Sequence, residues 1–433
     1  MTLVGNRIEW VLSLLACWRM GAVALPCSTM LRQQDLALRV AAAEPTLCVG
    51  EDALLAELPD GVATMAMDEV AAALDEDLPQ ETPAPVESMD AEDPALIVFT
   101  SGTTGEPRGV VHGYRYLLGQ QGQADHWFGA RKGELAWCTT ATGWSKSARN
   151  VFLAPWLTGA AAVIYDGRFD PAERLDFVET LGVNVLCQAP TEYRMIAKRT
   201  ALRPLPALRR MVSAGEPLEA ETIAAWRAAT GLEAADGYGQ TETGHVSGNH
   251  VGVPVREGSM GKPLPGLEVR LVKPEDSADD DSAASELQLR AASSPTFFSR
   301  YLDGKRFADE WWPTGDLVRE DEDGYLFFEG RDDDIILSSG YRIGPFEVES
   351  ALLSHPAVAE AAAVAAPDPE RGAVVRAIVV PNEREPSKEL ARELQEHCKR
   401  ETAPYKFPRI IEFATELPKT SSGKIKRAQL RAS

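Results

Sequence analysis

The chain has 433 residues, more than one compact core usually accommodates, so two or three domains are expected. Its formal net charge is -21, from 44 Lys and Arg against 65 Asp and Glu. Such a surface repels nucleic acid and anionic lipid head groups, which argues against both as partners. The six cysteines are scattered and form no CxxC pair, which indicates reduced thiols rather than a disulfide framework or a zinc site.

The first predicted element is an amphipathic helix that leads into a buried strand, Ala22–Leu25. The apolar run Trp10–Trp18 followed by small residues also resembles a signal peptide with its cleavage site. Glu9 before the run and Arg19 after it argue against secretion, and the run is too short to cross a bilayer. We therefore expect a cytoplasmic protein with no integral membrane segment.

From Ala22 to about Tyr238, short apolar runs alternate with helical patterns, which is typical of helices packed on a mainly parallel sheet. The predicted strands are Thr46–Val49, Leu96–Thr100, Ala161–Tyr165, Val183–Cys187 and Arg210–Ser213. The predicted helices between them are Leu36–Ala43, Pro171–Leu181 and Leu218–Ala229. Two acidic stretches, Asp75–Asp93 and Lys273–Ser285, are predicted to be solvated connections.

After Leu267 the pattern changes to short strands and then, past Arg331, to a small α+β pattern. Its predicted elements are the helix Pro345–Leu353, the strands Ala357–Val364 and Val374–Val380, the helix Ser387–Arg400 and a basic tail, Lys419–Arg431. We predict an α/β protein in which residues 1–330 form a large body of helices on mainly parallel sheets. Residues 331–433 are predicted to form a small α+β C-terminal domain.

The predicted strand that ends at Thr100 runs into a loop rich in glycine and hydroxyl side chains. The loop is Thr100-Ser101-Gly102-Thr103-Thr104-Gly105-Glu106-Pro107-Arg108. Glycines let backbone amides approach a polyphosphate, the hydroxyls add donors, and Arg108 brings positive charge into an acidic protein. The loop is not a Walker A sequence, and the alternative to a polyphosphate site is a surface turn.

Four further segments follow in the order Ser213–Pro217, Asp236–Thr243, Thr314–Asp316 and Gly330–Glu349, and Pro418–Lys424 closes the series. An aromatic side chain can stack on a purine, and a carboxylate beside a triphosphate can hold Mg²⁺, which prefers oxygen ligands. Each segment alone has an ordinary structural explanation: Tyr238 as a core residue, Glu242 as a solvated charge, Asp316 as a turn aspartate and Lys424 as part of a basic tail.

Together, the segments resemble the adenylate-forming (AMP-binding) superfamily, and Gly330–Glu349 is most similar to its medium-chain acyl-CoA synthetases. The resemblance implies that the loop Thr100–Arg108 binds the β- and γ-phosphates of ATP. It implies that Thr241 contacts phosphate, Glu242 binds Mg²⁺, and Asp316 binds the ribose with Arg331 beside it. The implied remaining nucleotide contacts are Gly215, Glu216, Pro217, Asp236, Gly237, Tyr238, Gly239, Gln240 and Arg342.

The resemblance also assigns Lys424 as the catalytic lysine that reaches the α-phosphate and the acyl carboxylate, and Asp333 as the hinge of a mobile C-terminal domain. Trp144 is placed near the acyl pocket, with a buried core tryptophan as the alternative. The implied coenzyme A contacts are Ser339, Gly340, Tyr341, Arg371, Lys399 and Phe407.

The implied activity is ATP-dependent ligation of a carboxylic acid to coenzyme A through an acyl-adenylate, with a medium-chain fatty acid or an aromatic acid as substrate. Three departures from the family are visible: Arg108 replaces the usual Lys, Ala141 replaces a frequent Asp, and the chain is expected to be shortened at its N-terminus. Two alternatives stay open. One is a non-catalytic protein that binds a nucleotide or acyl-adenylate, and the other is an enzyme that loads a carrier-protein thiol. The oligomeric state, including a homo-oligomer, is left open.

Overall fold

A computed structural model describes residues 1–433 except 76–87, 101–107, 217, 219, 274–283, 332, 333, 335, 339, 340, 369–371, 383, 403–405, 420–424 and 433. The chain packs as two compact units. The first unit comprises Met1–Glu268 and Leu289–Trp312, and the second comprises Val269–Gln288 and Pro313–Ser433. The domain boundary at residue 330 stays a prediction.

A seven-stranded sheet forms the centre of the first unit. In spatial order its strands are Lys262–Pro263, Gly244–Gly248, Ala234–Gln240, Arg210–Ala214, Val185–Gln188, Leu135–Cys138 and Ala161–Ala162. The last five are parallel to one another, whereas the first two run antiparallel to their neighbours. Because parallel strands end at one edge, the segments after Cys138, Gln188 and Ala214 line the same edge of the sheet.

Two smaller sheets complete the strands of the first unit. One is parallel and consists of Thr2–Leu3, Cys48–Gly50 and Thr64–Ala66. The other is antiparallel and consists of Arg300–Tyr301, Arg108–Gly113 and Pro94–Thr100. In the latter, Thr100 lies opposite Arg108, so the two ends of the predicted phosphate loop are paired.

Helices surround these sheets. The α-helices of the first unit are Ile8–Arg19, Gln33–Ala43, Asp52–Leu55, Met67–Asp75, Arg115–Gly119, Gln121–Gln123, Ser145–Ala148, Ala154–Leu157, Pro171–Thr180, Pro190–Arg199 and Ala220–Thr230. Ala124–Phe128 and Arg149–Leu153 are π-helices, and Ala291–Ser293 is a 3₁₀-helix. The helix Pro171–Thr180 begins where Asp170 accepts hydrogen bonds from two backbone N–H groups, with proline at the first position.

A second group of elements belongs mainly to the second unit. The strands Val269–Val272, Ser285–Arg290, Trp311–Glu320 and Leu326–Arg331 form one sheet, Ile336–Ser338 and Tyr341–Ile343 form a hairpin, and Val358–Asp368, Gly372–Pro381 and Ile410–Phe413 form a third sheet. The helices are Pro345–Leu353, Lys388–Glu401 and Arg427–Ala432. Val348, Leu352, Leu390 and Leu394 pack the two longer helices into a common apolar core.

The predicted α/β class is confirmed. The predicted helix Pro345–Leu353 has the same bounds in the structure, whereas the strand predicted over Ala161–Tyr165 is limited to Ala161–Ala162. Ala22–Leu25 forms no strand, because only Ala24 pairs there, through an isolated bridge to Leu96. Within the described ranges, no helix is long and apolar enough to cross a membrane.

Two histidines are buried in the first unit, and their burial predicts a stability that depends on pH. Burial and the nearby Arg149 cation lower the pKa of His112 to about 3, and burial lowers the pKa of His245 well below its ordinary value. An unfolded histidine takes up a proton near pH 6.5, so the unfolded chain binds more protons below that pH. The free energy of unfolding should therefore fall as the pH falls from 6.5 towards 3.

Urea unfolding followed by tryptophan fluorescence tests this prediction, since all nine tryptophans belong to the first unit. Between pH 7 and pH 5.5 each buried histidine should remove about 1 kcal/mol from the free energy of unfolding. His112→Gln should lose about 1 kcal/mol less than wild type over this interval. An equal loss in both proteins would show that His112 does not contribute to the pH dependence.

Candidate functional site

Gly215 and Glu216 follow the strand Arg210–Ala214 at the carboxyl edge of the main sheet. Gly215 has a φ of +110°, which side chains rarely tolerate, and a Cβ there would lie 2.5 Å from the Lys146 Nζ. Lys146 donates a hydrogen bond from Nζ to the Ala214 carbonyl at 2.5 Å. Glu216 accepts at Oε1 from the Thr191 backbone N–H at 3.0 Å, which fixes its carboxylate. Both predicted residues are thus held in defined positions at this edge.

The neighbouring strand, Ala234–Gln240, carries five predicted nucleotide contacts, and two of its glycines have a packing reason. A Cβ on Gly237 would lie 2.6 Å from the His245 ring, and one on Gly239 would lie 1.9 Å from the Gly244 carbonyl oxygen. A β-bulge between Tyr238 and Gly239 shifts the register with the strand Gly244–Gly248. These two glycines therefore permit close strand packing, beyond any clearance they give to a ligand.

Asp236 begins this predicted segment and is only 9% exposed. Burial raises the pKa of Asp236 well above its ordinary value. Its Oδ1 accepts a hydrogen bond from the Gly237 backbone N–H at 2.9 Å. Burial thus disfavours the charged form of this carboxyl group beside the predicted nucleotide contacts.

Glu242, the predicted magnesium ligand, is connected to Arg108 through Tyr301. The Tyr301 hydroxyl donates to Glu242 Oε1 at 3.2 Å, and the guanidinium carbon of Arg108 lies 3.3 Å from the centre of the Tyr301 ring. Arg108 also donates to Asp303 Oδ2 at 3.4 Å. Burial and the Glu242 carboxylate both raise the pKa of Tyr301, so its hydroxyl keeps the proton that it donates. The structure thus brings together one end of the phosphate loop and the predicted metal ligand.

The residues around Glu242 fit a magnesium ion. Glu242 and Thr241 offer a carboxylate and a hydroxyl, and both are partly exposed. Magnesium is usually held by one or two carboxylates together with substrate phosphates and water, so one fixed carboxylate is a sufficient protein contribution. Tyr301 engages one oxygen of Glu242 and so orients the other donor positions of the group.

Sequence reasoning missed Tyr301, which follows Glu242 by 59 positions and belongs to none of the motifs. Its position near the phosphate loop follows from the pairing of Tyr301 with Val110 in the structure. Tyr301→Phe should lower the rate of pyrophosphate release by about tenfold, because a hydrogen bond to a charged group contributes about 1.5–3 kcal/mol. The variant should also require more Mg²⁺ for half-maximal rate.

A magnesium titration of the rate at saturating ATP checks this prediction. Tyr165→Phe is the matched control, since the Tyr165 hydroxyl donates to the Glu173 carboxylate at 3.0 Å on an exposed surface. The control should leave both the rate and the magnesium requirement unchanged. Equal behaviour of the two variants would mean that Tyr301 does not position Glu242.

In the second unit, Asp316 and Arg331 lie directly opposite each other on paired strands. Arg331 donates from Nη1 to Asp316 Oδ1 at 3.1 Å, and the Asp316 side chain is 6% exposed. The turn before Asp316 is fixed by Gly315, which has a φ of +68°, and by Thr314, which donates to the Leu287 carbonyl at 2.6 Å. The predicted adjacency of Asp316 and Arg331 is therefore present.

Among the predicted coenzyme A contacts, Lys399 and Phe407 lie together, with the Lys399 Nζ 4.4 Å from the centre of the Phe407 ring. Trp144 directly precedes the helix Ser145–Ala148 and is half-buried rather than a fully buried core residue. Tyr341 and Arg342 belong to the strand Tyr341–Ile343, but their side chains lie outside the described part. The other predicted site residues lie entirely outside the described part of the structure: Ser101–Pro107, Pro217, Asp333, Ser339, Gly340, Arg371 and Lys424.

Comparisons with known proteins identify the family that the chain resembles. Residues 1–297 match the model of the AMP-binding enzyme family, and residues 347–424 match the model of the AMP-binding enzyme C-terminal domain. The chain is 39% identical to the uncharacterized acyl–CoA ligase YtcI of Bacillus subtilis, over 96% of this chain and 82% of YtcI. It is 38% identical to the mitochondrial acyl-coenzyme A synthetase ACSM3 of Mus musculus, over 98% of this chain and 77% of ACSM3.

Two solved structures of CoA ligases have folds similar to that of this chain. The anthranilate CoA ligase AuaEII, in complex with anthranoyl-AMP, superposes with a TM-score of 0.86 at 30% identity, covering 100% of this chain and 86% of that one. A benzoate CoA ligase from Burkholderia xenovorans LB400 superposes with a TM-score of 0.84 at 25% identity, covering 99% and 88% of the two chains.

Proposed function

Because this chain belongs to the AMP-binding enzyme family, among its acyl-CoA synthetases, we propose that it joins a medium-chain fatty acid or an aromatic acid to coenzyme A. The predicted enzyme class, an AMP-forming acid–thiol ligase, is confirmed by its homologues. The proposed substrates are the acid, ATP and coenzyme A, with Mg²⁺ as cofactor, and the proposed location is the cytoplasm.

The arrangement of Arg108, Tyr301 and Glu242 is the observation that carries this proposal. An oxygen of the acid attacks the α-phosphorus of ATP, the bond to the bridging oxygen of the β-phosphate breaks, and pyrophosphate leaves. Arg108 supplies positive charge at the phosphate loop, and Glu242 with Thr241 would hold Mg²⁺. Bound Mg²⁺ would supply further positive charge against the polyphosphate.

In the second half-reaction, the coenzyme A thiol gives its proton to water, its sulfur attacks the acyl carbon, the bond from that carbon to the phosphate oxygen breaks, and AMP leaves. Lys424 is proposed to act in the first half-reaction. Rotation of the C-terminal domain about Asp333 is proposed to take place between the first and the second half-reaction. Lys399 and Phe407 are proposed to bind coenzyme A, and their mutual contact supports a shared surface. Ser339, Gly340, Tyr341 and Arg371 complete the proposed coenzyme A site.

The proposed acid classes rest on Trp144 and on the related enzymes. A half-buried tryptophan beside the carboxyl edge of the sheet offers a flat apolar surface to an aliphatic chain or an aromatic ring. Two of the superposed structures are ligases named for anthranilate and benzoate, which supports an aromatic acid.

Product analysis by mass spectrometry tests the proposal. The protein is incubated with Mg·ATP, one acid from a panel of C2–C12 fatty acids and benzoates, and either coenzyme A or a carrier protein with a phosphopantetheine thiol. Acyl-CoA formation with at least one acid is expected. Acyl transfer to the carrier alone would replace coenzyme A as the acceptor, and binding of ATP without any product would indicate a non-catalytic protein.

A further inference from the structure

Several buried polar side chains of the first unit have atoms without a hydrogen-bond partner among the described residues. We group four buried polar residues as the buried polar cluster: His112, Arg149, Asn150 and His245. Their exposed fractions are 0%, 2%, 0% and 3%, respectively. Within the described residues, neither ring nitrogen of His245 forms a hydrogen bond, nor does either amide atom of Asn150, nor do Nε and Nη1 of Arg149. The His112 ring faces the backbone carbonyls of Thr241 and Thr296. Buried polar atoms are nearly always paired in folded proteins, so this concentration of unpaired groups needs a partner.

The cluster lies among the segments that form the proposed active site. Arg149 starts the π-helix that follows Trp144 by one short helix, and π-helices occur often at functional sites. His112 lies on the strand that begins with Arg108, close to the Thr241 carbonyl. His245 lies against Gly237 of the nucleotide-binding segment, and its ring is 4.1 Å from that of Trp127.

Arg149 connects these positions electrostatically. Burial and, after it, the Arg149 cation lower the pKa values of both histidines, so both rings are neutral at pH 7 and Arg149 is the cation of the cluster. In the part of the chain that the structure describes, Arg149 forms no ion pair, although the Tyr116 hydroxyl lies beside it. A buried cation without a counter-ion is unfavourable by several kcal/mol, whereas a carboxylate beside it would restore the lost interactions.

A plain alkyl chain cannot supply this counter-ion. An apolar group packed against the cluster would exclude water and leave every unpaired atom without a partner. We propose that the buried polar cluster binds a second carboxylate on the acid substrate, so that the preferred substrates are dicarboxylic acids. Arg149 pairs with the second carboxylate, and Asn150 and the neutral His245 ring offer N–H donors to it. The proposal rests on the acyl-CoA synthetase function proposed above and adds a second carboxylate to the acid that the enzyme prefers.

Matched acid pairs test this inference: butanoic and butanedioic acid, hexanoic and hexanedioic acid, benzoic and benzene-1,2-dicarboxylic acid. For each pair the ratio of kcat/KM for the diacid to that for the monoacid is measured in wild type, Arg149→Met and Arg149→Lys. Wild type should favour the diacid in at least one pair. Arg149→Met should lower that ratio roughly a hundredfold, because a site built for a polar group discriminates strongly through it. Arg149→Lys should retain part of the preference.

A purely structural role for Arg149 would change kcat/KM equally for both acids of a pair. An unchanged ratio in Arg149→Met, or a wild type that prefers the monoacid in every pair, would overturn the inference while leaving the ligase function intact. Calorimetric binding of each acid to wild type and Arg149→Met decides the matter without turnover. Tighter binding of a diacid by wild type alone is expected, and equal binding by the two proteins would overturn the inference even if no thioester formed.

Discussion

Replacing Lys424 by alanine is expected to slow acid-dependent pyrophosphate release by about two to three orders of magnitude. The lysine is proposed to stabilise charge on the α-phosphate and to hold the attacking carboxylate, and both interactions are strongest in the transition state of adenylation. The rate is measured from Mg·ATP and a saturating acid. Lys426→Ala is the matched control, because Lys426 is an exposed lysine two positions further along the chain.

The same variant should retain the second half-reaction. Synthetic acyl-adenylate and coenzyme A, supplied together, should yield acyl-CoA at a rate close to that of wild type, since Lys424 is not proposed to act in that step. Equal loss in both half-reactions would show that Lys424 supports the fold or a shared step. An effect of similar size in Lys426→Ala would mean that the loss reflects the charge of the segment rather than one catalytic group.

Glu242→Gln is expected to have the second large effect. At 1 mM Mg²⁺ the rate of pyrophosphate release should fall by about two orders of magnitude, because the variant lacks a charged group at the reacting phosphates. The amide keeps the size of the side chain and an oxygen to accept from Tyr301, but it removes the negative charge that attracts the metal. Raising Mg²⁺ should restore part of the rate. Glu221→Gln, at an exposed position of the same unit, should behave as wild type.

A direct measurement of metal binding complements this prediction. The affinity for Mn²⁺, read from its electron paramagnetic resonance signal in the presence of ATP, should fall in Glu242→Gln and stay unchanged in Glu221→Gln. Unchanged Mn²⁺ affinity in Glu242→Gln would exclude Glu242 as a metal ligand. The Mn²⁺ affinity of Tyr301→Phe should lie between those of the two glutamate variants, because this variant keeps Glu242 and loses only the hydrogen bond that orients it.

Local sequence signals predicted the parts of the fold that local interactions determine. The helix Pro345–Leu353 begins at a proline in its first turn, and the predicted bounds are those of the structure. The alternation of apolar runs and helical patterns predicted parallel strands. In the structure, Ser213 lies opposite Asp236 in adjacent parallel strands. This register brings Gly215 and Asp236 to the same edge of the sheet.

Contacts between distant segments were not predictable in this way. Tyr301 reaches Glu242 and Arg108 because a two-residue strand pairs with Val110 and Val111, and such a short strand has no periodic pattern. The packing of Lys146 against Gly215 depends on a left-handed backbone conformation that the sequence shows only as a glycine. The positions proposed for Lys424 and Asp333 rest on family resemblance, since both lie outside the described residues.

The most direct test of the proposed ligase is pyrophosphate release by the wild-type protein with Mg·ATP, with and without acid and with and without coenzyme A. The acid panel includes the monoacids and diacids named above. Release that requires an acid and is sustained over many turnovers only with coenzyme A is the expected result. Protein that is folded and binds ATP but releases no pyrophosphate with any acid would contradict the assignment of a catalytic acyl-CoA synthetase.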